Sequence, residues 1–203
     1  GDVDHVAVNS DNRANRWRKL AYVLTSGVSP GYVLNRLRQR GERADVAGNL
    51  KRDLPDQEFR GTVHAVEHHL CHLASAFLVS PYDTAVAVSV DGFGDFSSAA
   101  WGLGKGGRLQ VDGRVYFPHS LGVFYEAMTQ FIGFPHYGDE YKVMGLAPYG
   151  EPRYVEQMKQ IVRLKDDGGF ALDLRFFRHA SGEGANYSVK EGIPSGGRLW
   201  SDA

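Results

Sequence analysis

Residues 64–94 read HAVEHHLCHLASAFLVSPYDTAVAVSVDGFG. Within them lie a histidine cluster (His64, His68, His69, His72), a helical apolar run, a β-branched run and a glycine pair led by an acid. The spacing predicts a helix over His68–Val79, stopped by Ser80-Pro81-Tyr82, and an alternating, buried strand over Thr84–Val90. On that helix His68 and His72 lie one turn apart on one face. Two readings fit them: imidazoles sharing one metal ion, or ordinary histidines on a helix surface. His64 and His68 repeat the spacing, but Thr62–Glu67 reads as a strand, where residues four apart are separated by about 13 Å. Asp91-Gly92-Phe93-Gly94 ends the following strand. An acid before a glycine turn holds a phosphate or a metal–phosphate unit, and it equally makes a hairpin turn.

The remaining composition narrows the function classes. The chain has 203 residues, a formal net charge of −1, 42% hydrophobic and 23% charged residues. That is enough to bury a core in one or two domains. Near-zero charge argues against a nucleic-acid groove or an anionic membrane surface. One cysteine, Cys71, excludes an internal disulfide and fits a reducing cytoplasm; it reads as a small buried residue before it reads as a ligand. No apolar run approaches about 18 residues and no signal-peptide pattern opens the chain, so a cytoplasmic protein with no membrane partner is expected.

Outward from residues 64–94, helices and strands alternate. Val3–Val8 is a short strand. Asn12–Thr25 carries Trp17, Leu20, Ala21 and Leu24 at helical spacing, with Asp11 or Asn12 as N-cap. Ser29-Pro30 opens a second helix to about Arg40. Its Arg36, Arg38 and Arg40, with Arg43, read as a solvated face or an anion site, and Asp53-Leu54-Pro55 reads as a linker. Downstream, Ser97–Leu103 and Arg108–Tyr116 are strands joined through glycine turns at Gly92–Asp95 and Lys105–Gly107. Ser120–Ile132 is amphipathic, with Leu121, Phe124, Tyr125, Met128 and Phe131–Ile132 as its stripe. Asp139–Leu146 is a short helix with Asp139 and Glu140 at its positive end. Pro152–Val162 is a helix and Arg163–Leu174 a hairpin. The fold class is α/β with a mixed sheet.

Several longer motifs carry a family resemblance: HHLCHLASAF (68–77), VSVDGFGD (88–95), FPHSLGVFYEAMTQFIGF (117–134), GDEYKVMGLAPYGEPRY (138–154) and LKDDGGFALDLRFF (164–177). Together they resemble the NodU/CmcH-type O-carbamoyltransferases. The resemblance implies part of an actin and sugar-kinase type, ribonuclease H-like nucleotide-binding fold. It implies a reaction in which carbamoyl phosphate and ATP give carbamoyl-adenylate, whose carbamoyl group passes to a hydroxyl of a natural-product or sugar acceptor. It also implies a divalent metal, iron first, other divalent ions and Mg being alternatives. Residue by residue, His68, His72 and Asp91 fall on metal-binding positions of the family, and Asp91, Gly92 and Gly94 on the phosphate turn. Asp139, Glu140, Lys142 and Gly145 fall where relatives handle the ribose, phosphates and base, or else belong to an ordinary capped helix. His119 is the candidate catalytic group and Tyr125 its neighbour in the motif; either could be a core residue with a satisfied polar end.

The resemblance further implies a domain organisation. Residues 1–60 would be a helical lead-in, 61–178 the nucleotide- and metal-binding core, and 179–203 an irregular tail toward a C-terminal domain that family members carry. These 203 residues alone would then not complete the reaction. The alternative is a non-catalytic, kinase-like or chaperone-like ATP-binding domain of the same superfamily.

Overall fold

The computed structural model describes residues 3–26, 46–56 and 59–180. The helix expected over Ser29–Arg40, the arginines Arg36, Arg38, Arg40 and Arg43, and the tail after residue 180 lie outside the described residues. Two short strands, β1 (His5–Val8) and β2 (Thr62–Ala65), pair in parallel with His5 opposite Thr62. Between them run α1 (Arg16–Thr25) and α2 (Val46–Asp53). The sequence pattern did not announce α2, because Gly48 and Asn49 interrupt its periodicity. Lys51 and Arg52 in its last turn complement the helix dipole. The start of α1 also differs from expectation: its N-cap is Asn15, at φ 55°, rather than Asp11 or Asn12. The Asp11 N–H is instead bound by the Asp95 carboxylate at 2.7 Å, which holds residues 11–15 outside the helix.

α3 (His68–Phe77) leads into three antiparallel strands, β3 (Thr84–Gly94), β4 (Ser97–Lys105) and β5 (Arg108–Tyr116), in the spatial order β3-β4-β5. Leu73 and Phe77 of α3 pack on Ala87 and Ala100, with Leu109 and Val111 at the margin. The buried face of β3 is therefore made of Ala87 and Ser89, while Val86, Val88 and Val90 stand exposed on the other face. Bulk from the helix fills that interface, so the strand contributes small residues to it. The strand expected over Thr84–Val90 is present and alternates, but it is buried on one face only, through Ala87 and Ser89.

The glycine motif is also not the turn that was expected. β3 continues through Gly94, and its register against β4 shifts between Val90 and Gly94. The reversal falls on Asp95 and Phe96, at φ 49° and 76°, the positive φ pair that a two-residue hairpin with right-handed twist requires. Residues 91–93 thus form an irregular bulge, which re-aims the Asp91 side chain.

The second half of the chain adds α4 (Leu121–Phe131), α5 (Glu140–Leu146), α6 (Val155–Ile161) and a hairpin of β6 (Val162–Leu164) and β7 (Phe170–Leu172). α4 buries Val123 and Ala127 against Ile161, Leu172 and Phe177. Phe124 and Met128 of the expected stripe pack at its edge, but Phe131 and Ile132 are exposed. α4 lies close against the bulge of β3 at its first turn, where a Cβ on Gly122 would come within 2.7 Å of Gly92 N. The architecture is α/β, the parallel and antiparallel pairings among the described residues being divided among three sheets, in keeping with a nucleotide-binding-type fold.

Candidate functional site

The first two turns of α3 and the bulge of β3 bring three side chains together. His68 Nε2 lies 2.8 Å from Asp91 Oδ2, His72 Nε2 lies 3.5 Å from the same oxygen, and the two Nε2 atoms are 3.0 Å apart. Donors at about 2.1 Å from one ion are separated by about 3.0 Å at right angles and about 3.4 Å in a tetrahedron. The triangle therefore matches one face of a coordination shell. Exposure rises across it, with side chains 20% (His68), 40% (Asp91) and 47% (His72) accessible.

Each donor is aimed by a second contact. His68 Nδ1 faces the Asn9 carbonyl at 3.3 Å and donates to it, which turns Nε2 toward Asp91 and His72. Asp91 Oδ1 accepts from Gly92 N at 2.6 Å, fixing the carboxylate plane. Gly94 has a packing role that the sequence did not suggest, since a Cβ there would overlap the His68 ring. Ser120, the N-cap of α4, donates to the Asp91 and Gly92 carbonyls at 3.1 and 2.8 Å and accepts from Val123 N. Asp95 is the tie that joins all these elements. Its carboxylate accepts from Ser10 Oγ, Asp11 N and His68 N, and its carbonyl accepts from Asn15 Nδ2. Asn9, Asp95 and Ser120 were missed in the sequence. Only Asp95 had a signal there: an acid tolerant of positive φ directly after the glycine pair.

Carboxylates gather at the start of α3. Glu67 caps α3 through Leu70 N and pairs with Arg114 at 3.2 Å, and Asp95 binds the His68 amide of the same turn. The helix N-terminus is thus already occupied by two carboxylates, with Asp91 close by, and a bare anion finds no free donors there. Burial pulls the Asp91 carboxyl upward, but the His68 hydrogen bond, the Gly92 N–H and the neighbouring imidazoles outweigh it and leave its pKa below the usual carboxylate value. His68 Nε2, His72 Nε2 and Asp91 Oδ2 thus converge on one point, an arrangement that a shared proton or a cation between them stabilises. The residues fit a divalent ion: two neutral imidazoles and one carboxylate suit iron or a similar borderline metal better than Mg.

The other sequence candidates are placed differently. His64 bonds His5 across the β1–β2 pair at 2.9 Å. Cys71 is half-buried, its thiol pushed up by burial and directed at the Val66 carbonyl. His119 immediately precedes the cap Ser120, but its Nδ1 accepts from Leu172 N at 3.1 Å, tying β7 to the loop before α4. Burial pushes its imidazole below the ordinary histidine value, with Lys165 and His179 adding to this. Tyr125 is half-buried, and its carbonyl accepts from Thr129. The Asp139 carboxylate is buried and taken up by Lys142 Nζ at 2.6 Å and His136 N at 3.2 Å; the Lys142 hydrogen bond holds it below the usual carboxylate range. Glu140 lies half-buried in the first turn of α5 and Gly145 is exposed. Gly92 keeps open space where a side chain would stand. A shallow apolar groove of about 550 Å³, lined by Leu121, Phe124, Tyr154, Met158 and Leu164 among others, contains none of the three converging donors. No helix among the described residues is long and apolar enough to cross a membrane.

Comparison with known proteins finds relatives over much of the chain. An uncharacterized protein of Synechocystis sp. is 42% identical over 140 residues, covering 68% of this chain and 22% of the relative. Nodulation protein NolO of Bradyrhizobium diazoefficiens is 41% identical over 112 residues (54% and 20%), and Nodulation protein NolNO of Sinorhizobium fredii 39% over 134 residues (62% and 19%). The chain spans about a fifth of the length of these curated relatives. Residues 15–191 match the family described as Carbamoyltransferase N-terminus. The chain that folds His68, His72 and Asp91 into one cluster belongs to the carbamoyltransferase N-terminal family.

Proposed function

We propose that this chain forms the metal-holding part of an O-carbamoyltransferase, which moves a carbamoyl group from carbamoyl phosphate, by way of ATP-derived carbamoyl-adenylate, to a hydroxyl of a small-molecule acceptor. The observation that carries the reading is the convergence of His68, His72 and Asp91 within 4.8 Å of one another, beside the β3 bulge, in a member of this family. His68 and His72 would bind a divalent ion, iron first, and Asp91 would share it. Such an ion supplies Lewis-acid polarisation of a carbonyl or phosphoryl oxygen.

The protein's own groups do the remaining work. Asn9 fixes the His68 tautomer, and Asp95 with Ser120 holds the helix and bulge in register. Gly92 leaves room for a ligand beside the acid. The acidic surroundings favour a phosphate that arrives with its cation over a free one, which fits a nucleotide accompanied by Mg. Asp139, Glu140, Lys142 and Gly145 would take part in adenosine binding only if the Asp139–Lys142 pair opens. His119 would act on the acceptor hydroxyl only by giving up its bond to Leu172. The donor set favours this reading over a kinase-like or non-catalytic ATP-binding domain, because nucleotide binding alone does not require a histidine pair.

The test is mass spectrometry of hydroxyl acceptors incubated with the full-length protein, carbamoyl phosphate and ATP. Wild type should yield a carbamoylated acceptor, and His72→Ala should lose that product. Undiminished carbamoylation by His72→Ala, with no metal bound, would overturn the proposal.

A further inference from the structure

One buried histidine takes no part in the chemistry above. His69 follows the first donor directly and is fully enclosed, at 0% exposure. Its Nδ1 meets Ser89 Oγ at 2.8 Å, and its buried Nε2 makes no hydrogen bond of full geometry, although the ring also faces the Ser97 backbone of β4. The ring stands edge-on to His68, with centroids 5.4 Å apart. Ser89 sits on the inward face of β3, two residues before Asp91 and next to the bulge that aims the Asp91 side chain.

We infer that the His69–Ser89 hydrogen bond is the positioning element that sets α3 against β3 so that His68, His72 and Asp91 can share one cation. His69 is a positioning residue and not a ligand. The rest of this interface is Leu73 and Phe77 against Ala87 and Ala100. Such contacts are non-directional and tolerate small slides and rotations. A metal triad does not, since its donors must be held to within about 0.5 Å. A hydrogen bond is directional in distance and angle, and this one lies a single strand repeat from the carboxylate it must align. An apolar side chain would fill the same space without stranding a ring nitrogen, so packing alone gives no reason for a histidine here.

The inference rests on the metal reading, and the experiment separates the two. Co²⁺ alone is titrated into wild type, His69→Leu, His69→Asn and Ser89→Ala, recording affinity and visible d–d bands, together with the melt of each metal-free protein. His69→Leu and Ser89→Ala should each weaken Co²⁺ by about tenfold to a hundredfold and shift the bands, while the metal-free melt of His69→Leu stays equal or rises. His69→Asn, whose amide reaches the Nδ1 position, should recover most of the affinity. The pair of changes together should cost no more than either one. Wild-type affinity and bands in His69→Leu would overturn the inference and leave the metal site standing. A loss of affinity that merely follows a loss of melting temperature, without rescue by asparagine, would also overturn it. Absence of Co²⁺ binding by wild type would overturn the metal reading and this inference with it. If His69→Leu does not fold, Ser89→Ala and His69→Asn decide.

Discussion

Residues 64–94 and residues 134–150 both carry strong family motifs, yet the chain builds them in opposite ways. In the first stretch, polar groups reach partners far away in sequence: His68 to Asp91, 23 residues on, and Asp95, just past its end, back to Asp11, 84 residues away. In the second, they close on neighbours: Asp139 on Lys142 and on the His136 amide, both three residues off. Lys142 also stands over the rings of Phe134 and Tyr141. Long-range bonds cost loop-closure entropy and hold elements in one mutual arrangement. Local bonds stabilise a turn and use up the donors that a ligand would need. Motif strength alone does not separate these cases, whereas the sequence distance of the hydrogen-bond partners does.

The largest expected effect tests whether the first stretch is a cation site at all. His68→Ala, His72→Ala and Asp91→Asn should each weaken a divalent ion by about a hundredfold, or about 3 kcal/mol, read by calorimetric titration. Lys142→Ala should leave that affinity unchanged. If Lys142→Ala loses the ion as well, the two stretches form one site and the comparison fails.

Gly94→Val comes next. A glycine kept open for a phosphate would accept valine with little loss of stability. A glycine that makes room for the His68 ring would not. The overlap with that ring predicts destabilisation of about 1–3 kcal/mol together with loss of the ion. Gly92→Ala, with open space at its Cβ, should melt near wild type. An unchanged melt for Gly94→Val would return this glycine to the phosphate role that its sequence context suggests.

The sequence made legible what short-range pattern controls. The α3 helix, the hairpin strands and the spacing of His68 and His72 followed from periodicity and from i, i+4 geometry. It left hidden whatever depends on which elements meet. The bulge at residues 91–93 moved the reversal to Asp95 and Phe96 because Asp95 is held by Ser10, Asp11 and Asn15 on one side and by the start of α3 on the other. α4 buries Val123 and Ala127 against Ile161, Leu172 and Phe177, and its Gly122 admits the Gly92 backbone, contacts that no periodicity of large residues could signal. Likewise α2 stayed invisible behind Gly48 and Asn49.

A smaller effect concerns the second stretch. Lys142→Ala leaves the Asp139 carboxylate with only the His136 amide, which should lower the denaturation midpoint slightly in a denaturant titration. Lower ATP affinity with an unchanged melt would show instead that Lys142 serves a ligand, and the second stretch would then rank as a site beside the first.

The smallest effect is a pH difference between the two stretches. Glu67 and Asp139 both have depressed pKa values, for different reasons. Burial raises that of Glu67, but the Leu70 amide and Arg114 outweigh it; for Asp139 the Lys142 hydrogen bond leads. A depressed carboxylate contributes stability that is whole above its unfolded pKa and is lost as pH falls through the folded one. For Glu67 the loss begins below its ordinary value of 4.5, and for Asp139 below 3.8. In a metal-free acid titration from pH 7 downward, Glu67→Gln should therefore flatten the stability curve earlier than Asp139→Asn. The Glu67 advantage at neutral pH is about 1 kcal/mol or less after screening. The two carboxylates also differ in the structural consequence of protonation. Glu67 caps the helix that carries both histidines and joins it to β5 through Arg114, so its protonation should loosen the triad. Asp139 holds only its own loop and the start of α5. Amide hydrogen exchange should report this: the buried His69 loosens α3 in both proteins as pH falls, so between pH 7 and pH 4, once corrected for the intrinsic rate, α3 of Glu67→Gln should lose less protection than wild-type α3. The same smaller loss of α3 protection in Asp139→Asn would mean that the two stretches are coupled, and their contrast would not hold.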